Sequence, residues 1–111
     1  MTYWELNNLK EITLAEGIRA RVIAGENITI THVTLDKGAI LPEHKHPQEQ
    51  IVNVIEGELE LTVEGQEYVL TRGRVFTLAP NQPHSGRALT EVYVIDVFQP
   101  NRADLEQAAK S

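Results

Sequence analysis

Three histidines and one glutamine in this chain have the types and spacing of a metal site. His44 and His46 stand two residues apart in LPEHKHPQEQ, Gln50 follows four residues later, and His84 lies in APNQPHSG. Side chains two apart on a strand face the same way, so we expect His44, His46 and Gln50 to share one face. Neutral imidazoles and an amide oxygen bind first-row divalent metals. The four side chains therefore predict a site for one such metal, with positions left for water or substrate.

The histidine pair alone is a weak signal, because short histidine motifs also occur in solvated loops. The alternative is that both histidines lie in solvent on a loop after Pro42. Gly38 and Gly57 frame the segment, however. A second block, from Gly73 to His84, repeats the order of glycine turn, apolar strand, proline turn and histidine. The repetition favours the metal site.

A second group of reactive side chains lies near the end of the chain, in VYVIDVFQPNR. Asp96 and Phe98 share a face with the valines of this run, and an inward-facing acid is costly unless it is paired. Arg102 follows a proline turn and can reach back towards the same opening. A structural Asp96–Arg102 ion pair is one interpretation. The other is a site for a small carboxylated sugar, built from an acid/base, an aromatic surface and a guanidinium beside a metal.

The composition bounds the class of protein. The chain has 111 residues, and we expect one domain over residues 1–111, with a barrel core at about 10–100 and a tail at 101–111. A formal net charge of -6 argues against binding to nucleic acid. There is no cysteine, which excludes disulfides and thiolate metal ligands. Neither a signal peptide nor a long apolar run is present, so we expect no membrane contact and a cytoplasmic location.

The elements that must position these side chains are strands. From Lys10 to Phe98 the sequence consists of short β-branched runs separated by turn residues, which is typical of a sandwich or barrel. The one predicted helix is the tail NRADLEQAAK, with Asn101 as its N-cap. We also expect His32 to face inward, because it shares parity with Ile28 and Ile30, and to be a core or pocket-wall residue.

The two histidine blocks resemble the paired motifs of the cupin family. G-AILPE-HKH-PQE-Q-IVNVIE-G is similar to the first motif, and G-RVFTLAPNQP-H to the second. The resemblance implies an all-β fold, a single double-stranded β-helix or jelly-roll barrel that is commonly dimeric and holds a metal inside. The implied ligands are His44, His46, Gln50 and His84. Gln50 departs from the usual glutamate of the first motif, and Ala79 and Asn81 depart from the second.

Glutamine in place of glutamate changes the charge of the predicted site. Glutamate would lower the formal charge of a divalent centre from +2 to +1, whereas Gln50 leaves it at +2. Anionic ligands help to stabilise oxidised iron, so a neutral ligand set favours Lewis-acid chemistry over redox cycling. The alternative is that Glu49 is the ligand and Gln50 a bystander; strand parity and motif spacing favour Gln50.

Gln50 together with D-x-F-x-P-x-R resembles a narrower cupin group, the pectin-degradation KdgF-like proteins. That resemblance implies ring opening of 4,5-unsaturated monouronates, from pectin or alginate, to linear keto sugar acids. Carried over by position, the catalytic residues would be Asp96, Phe98 and Arg102. The partner is then a small anionic sugar acid, and the cofactor is one divalent metal among nickel, cobalt, manganese, iron and zinc.

Two other functions stay open from the sequence. One is a cupin dioxygenase that uses iron, which would also accept three histidines. The other is a non-catalytic module that binds a small ligand or sugar. We expect an enzyme, because open metal positions and an inward acid are hard to explain by binding alone, and we expect a homodimer.

Overall fold

A computed structural model describes all residues, 1–111. After a single 3-10 turn at Leu6–Asn8, ten strands and one helix follow. The strands are β1 (Ile12–Ala15), β2 (Ile18–Ala24), β3 (Thr29–Leu35), β4 (Ile40–His44), β5 (Glu49–Glu56), β6 (Leu59–Val63), β7 (Gln66–Leu70), β8 (Val75–Leu78), β9 (His84–Ala88) and β10 (Val92–Gln99). The helix is α1 (Ala103–Lys110).

The strands form two antiparallel sheets that enclose one core. The larger sheet has the order β1-β2-β3-β10-β5-β8, and the smaller has the order β4-β9-β6-β7. Sixteen buried apolar residues lie between them, including Val33, Val94, Leu61 and Leu78. The predicted all-β barrel with a short C-terminal helix is therefore confirmed. No helix in the chain has both the length and the apolar character to cross a membrane.

Alternation along the central strands decides what lines the barrel. In β3 the inward residues are Thr29, Thr31, Val33 and Leu35, and the intervening residues are only half-buried. His32 therefore faces outward, where its ring stacks on Tyr93 with centroids 5.9 Å apart. The expectation that His32 faces inward was wrong. It assumed that the isoleucines of this segment mark the core side, whereas the interior here is lined by threonines.

Gly57 joins the two sheets at the end of β5. Its φ is +88°, and a Cβ at this position would lie 2.0 Å from the carbonyl oxygen of Glu91. Both the left-handed backbone and the close approach require glycine. Gly57, which ends the first histidine block, is thus needed to turn the chain from the larger sheet into β6.

The C-terminal helix begins one residue later than an Asn101 cap would allow. Arg102 occupies the N-cap position without a side-chain cap, so the prediction that Asn101 caps the helix was wrong. The Asn101 amide instead donates to the carbonyls of Gly25 and Ile28, at 3.0 and 3.2 Å. It also donates to Glu106 in α1, at 2.8 Å. Asn101 therefore ties the start of the helix to the β2–β3 turn.

Candidate active site

The three motif histidines meet at one end of the barrel. His44, the last residue of β4, pairs directly with His84, the first residue of β9, and their ring centroids are 4.3 Å apart. His46 lies beyond the end of β4, in the loop before β5, and its ring is 5.2 Å from that of His84. One nitrogen from each ring lies within 4.8 Å of the others. The parity argument therefore gave the right cluster for the wrong reason, since a loop and not a strand positions His46.

Each imidazole is oriented by a backbone carbonyl close to it in sequence. The Nδ1 of each ring lies at hydrogen-bond distance from a carbonyl two residues away: Pro42 for His44 at 2.9 Å, Gln48 for His46 at 3.0 Å and Gln82 for His84 at 2.8 Å. A carbonyl only accepts, so Nδ1 carries the hydrogen and Nε2 of the neutral ring carries the lone pair. Metal-binding histidines are commonly held by such a bond from the other ring nitrogen.

Burial keeps two of these rings neutral. His46 and His84 are buried, at 8% and 3% relative exposure. Loss of solvation lowers the pKa of His46 and lowers that of His84 to about 4. The Nε2 of His84 is buried without a hydrogen-bond partner, an arrangement that normally costs free energy. A neutral nitrogen with no partner in a cluster of imidazoles fits a metal ligand.

Gln50 completes the cluster from the larger sheet. It is buried at 7% relative exposure, and its Oε1 lies 3.0 Å from Nε2 of His46. Two ligand atoms bound at right angles to one metal, each at about 2.1 Å, lie about 3.0 Å apart. Glu49 is exposed on the other face of β5. The donor set of three imidazoles and one amide oxygen therefore fits a divalent transition metal.

Asp96 lies beside this cluster on β10. It pairs in register with Val52, and Phe98 pairs with Gln50, so the acid is diagonal to the glutamine. The residue as a whole is half-buried, but Oδ1 of its carboxyl is fully buried and has no hydrogen-bond partner. Burial raises the pKa of Asp96 to about 7, against the opposing effects of Gln50 and Arg102. Such a carboxyl can take up or release a proton near neutral pH.

Arg102 reaches the same opening, but its partner is not Asp96. Its guanidinium carbon lies 4.8 Å from the centre of the Phe98 ring. Its Nε and Nη2 donate to the two oxygens of Asp104, at 3.0 and 2.8 Å. No ion pair joins Arg102 to Asp96, so the structural interpretation of that pair is excluded. The Phe98 ring also lies edge-on to His46, with centroids 5.5 Å apart.

Two cavities that share lining residues surround this site. The outer one, of about 270 Å³, is lined by residues that include His44, Phe98 and Arg102. The inner one, of about 60 Å³, is mostly apolar and reaches His84. Gln50 and Asp96 border both cavities. A larger depression of about 520 Å³ lies elsewhere, around the β3–β4 turn, and has none of these groups.

Three residues at the site were not singled out from the sequence. Thr29 is fully buried, accepts a bond from the Arg102 backbone N–H at 2.9 Å and donates to Glu106 at 2.5 Å. Gln48 donates from its side chain to the carbonyl of Asn101 at 2.9 Å. Asp104 holds the guanidinium. Only Asp104 left a signal in the sequence, as an acid two residues after the arginine.

Comparisons with known proteins agree with this fold. Residues 31–98 match the Cupin_2 family, described as a cupin domain. The chain is 35% identical over 94 residues to the pectin degradation protein KdgF of Dickeya dadantii (strain 3937), covering 82% of this chain and 86% of that protein. The structure of KdgF from Halomonas sp. superposes with a TM-score of 0.87 at 27% identity, over 95% of this chain and 98% of that one. An RmlC-like cupin from Shewanella frigidimarina superposes with a TM-score of 0.88 at 26% identity, over 95% and 96% of the two chains.

Proposed function

The chain belongs to the cupin domain family, and from that premise we propose that it is a metal-dependent enzyme of pectin or alginate breakdown. Its reaction is the opening of the ring of 4,5-unsaturated monouronates to give linear keto sugar acids. The support is the similarity to KdgF over most of the chain, together with an acid, an aromatic ring and a guanidinium beside a metal-type cluster. The resemblance found in the motifs is confirmed at the level of the family.

The residues that would hold the metal are His44, His46, His84 and Gln50. Their free nitrogens and amide oxygen converge, and none carries a negative charge. A divalent metal bound there supplies a Lewis acid that polarises a substrate oxygen. Among nickel, cobalt, manganese, iron and zinc the donor set does not select one.

The remaining side chains divide the binding and the proton transfer. Arg102 pairs with the substrate carboxylate, since a guanidinium offers two parallel N–H donors to such a group. Phe98 packs against the sugar ring. The phenyl ring also contacts the guanidinium of Arg102, whose carbon lies 4.8 Å from the ring centre, and so keeps the guanidinium in place. Both groups belong to the segment that Thr29 and Gln48 anchor, so the carboxylate is held at a defined distance from the histidines.

Asp96 carries the proton chemistry in this proposal. Ring opening breaks the anomeric O–H bond and the bond from C1 to the ring oxygen, which leaves an aldehyde and an enol. The enol then gains a proton at C4 and loses its hydroxyl proton to become a ketone, so the overall change is an isomerisation without a co-reactant. Asp96 Oδ1, buried and without a partner, is placed to accept one proton and deliver another. This buried carboxyl oxygen without a partner is the observation that carries the proposal.

The test is a direct assay of ring opening. Metal-loaded protein is mixed with unsaturated galacturonate, and loss of the enol-ether absorbance is compared with the spontaneous rate. Arg102→Met should slow the reaction mainly by raising KM, whereas Arg19→Met, which removes a guanidinium from the outer face of β2, should not. No acceleration by the wild-type protein at full metal occupancy would exclude the activity.

The outer face of the larger sheet supports a further part of the proposal, a homodimer. Ile51 and Val75 are 39% and 55% exposed there, on adjacent strands. Val97 and Ile95 lie beside them on β10. An apolar face of this kind is commonly covered by a second copy. Light scattering should give twice the monomer mass, and Ile51→Glu should reduce that mass to the monomer's.

A further inference from the structure

Arg102 is the one arginine or lysine that lines the outer cavity, and part of its guanidinium is already bonded within the protein. The Nε–H and one Nη2–H of Arg102 donate to the two carboxylate oxygens of Asp104, at 3.0 and 2.8 Å. The guanidinium side chain is 14% exposed, whereas Asp104 is 63% exposed. Phe98 covers one face of the guanidinium. The arginine is therefore fixed by a carboxylate and a ring, both of which line the same cavity.

The hydrogens that remain on the guanidinium define what it can still bind. Arginine has five N–H donors, and a carboxylate uses two of them side by side. With one edge filled by Asp104, the other edge, formed by Nη1 and the second Nη2 hydrogen, is the one free two-point site. It matches a single carboxylate.

The charge of the opening leads to the same conclusion. The Arg102–Asp104 pair is neutral as a unit, and Asp96 is a further acid lining the same cavity. A ligand with one carboxylate loses the water around that group and gains the two N–H donors on the free edge of the guanidinium. A ligand with two negative groups brings its second charge into a cavity where Asp104 has cancelled the charge of Arg102 and where Asp96 is a second acid. Like charges at this range oppose binding.

We propose that Asp104 determines specificity: by filling one edge of Arg102 and cancelling its charge, it tunes the site to ligands with one carboxylate and against dianions. The disfavoured class comprises dicarboxylates and sugar phosphates. This inference rests on the proposed function in one respect, namely that Arg102 receives the carboxylate of the ligand.

The test measures equilibrium binding of two unreactive probes to the metal-loaded protein. The probes are D-galacturonate, with one carboxylate, and D-galactarate, with two, titrated by calorimetry at fixed pH and ionic strength. Asp104→Asn should shift the ratio of the two dissociation constants about tenfold in favour of galactarate, the size expected for one partly screened charge a few ångströms away. Asp104→Glu keeps the charge and should leave the ratio within about twofold of wild type. Because the ratio is compared between variants, the different shapes of the two probes cancel.

The control is Asp36→Asn, which removes the same charge from another two-point aspartate–arginine pair, with Arg19. Its ratio should stay at the wild-type value. An unchanged ratio in Asp104→Asn, an equal shift in Asp36→Asn, or failure of the wild-type protein to bind either probe would overturn the proposal. Turnover is not part of this readout. A protein that shows the shift in ratio but does not open unsaturated uronates would exclude the proposed reaction and leave the role of Asp104 standing.

Discussion

The side-chain oxygen of Gln50 lies 3.0 Å from Nε2 of His46. Since Nδ1 of His46 donates to the carbonyl of Gln48, Nε2 of the neutral ring is an acceptor and so is the amide oxygen. Two acceptors at this distance repel unless a cation lies between them, the ring gains a second proton, or the amide turns its NH2 towards the ring. The lowered pKa of His46 opposes that second proton. As it stands, with its oxygen facing the ring, the pair suits a metal ion bound by both atoms.

Replacing Gln50 with Ala should weaken metal binding. The change removes one neutral oxygen donor, and we expect the affinity for a divalent metal to fall by about tenfold or more. Competition with a chromophoric chelator measures it. The matched control is Glu49→Ala, one residue earlier on the exposed face of β5, which should leave affinity unchanged. If Glu49→Ala weakens binding and Gln50→Ala does not, the glutamate is the ligand.

Replacing Asp96 with Asn should separate proton transfer from metal binding. The amide keeps the shape of the side chain but cannot exchange a proton, so kcat for ring opening should fall by about 10²- to 10⁴-fold. Metal affinity should change little, because Asp96 is not one of the clustered donors. Asp36→Asn, on the surface, serves as the control. A variant that retains more than about a tenth of wild-type kcat would remove Asp96 from the proton chemistry.

The buried carboxyl of Asp96 also makes stability depend on pH. Its pKa is about 7 in the folded protein and 3.8 without burial, so the folded state binds the extra proton between these values. The contribution of this group to stability is therefore fully present below about pH 4 and is lost as pH rises through 7. His84, whose pKa is lowered to about 4, instead makes stability rise with pH. This histidine is present in both wild type and Asp96→Asn.

The difference between wild type and Asp96→Asn isolates the carboxyl. In the metal-free proteins, the free energy of unfolding of wild type relative to the variant should fall between pH 4 and pH 8, by at most about 4 kcal/mol. Urea unfolding at several pH values, with chelator present, measures this difference. A difference that does not vary with pH would mean that Asp96 is not buried as described.

Thr29 links stability to the placement of Arg102. Thr29→Val keeps the shape but leaves the Arg102 N–H without its partner and removes one of the two hydrogen bonds to the Glu106 carboxylate, which should cost about 1–3 kcal/mol. KM for the uronate should rise as well, because the arginine loses its anchor. Thr34→Val, on the outer face of the same strand, is the control. Equal changes in the free energy of unfolding and in KM for Thr29→Val and Thr34→Val would show that the hydrogen bonds of Thr29 contribute to neither.

The strands with regular β-branched alternation could be predicted from the sequence, and three others could not. β9 has the sequence HSGRA, and β4 contains Pro42, so neither has strand propensity. They are strands because they pair with each other and, for β9, with β6. Such pairing is a tertiary effect, and a single sequence does not show it. β1 is only four residues long and, unlike β8 of the same length, does not follow a turn glycine that would mark its start.

The residues that cluster could be picked out from the sequence more easily than the groups that hold them in place. The histidines, Gln50, Asp96 and Arg102 are chemically distinctive, and the structure brings their side chains to one end of the barrel. Their supports are backbone carbonyls, which any sequence has, and bonds such as Thr29–Glu106 across 77 positions. Partners that far apart become visible only once the fold is known.

The proposed activity is tested most directly by one rate measurement, on wild-type protein of known metal content with oxygen excluded. Protein loaded with a redox-inert metal such as zinc should accelerate loss of the enol-ether absorbance of unsaturated galacturonate, in proportion to metal occupancy. An oxygenase would need oxygen and a redox-active metal, and a binding module would form no product. A rate equal to the spontaneous one at full occupancy with every candidate metal would contradict the proposal.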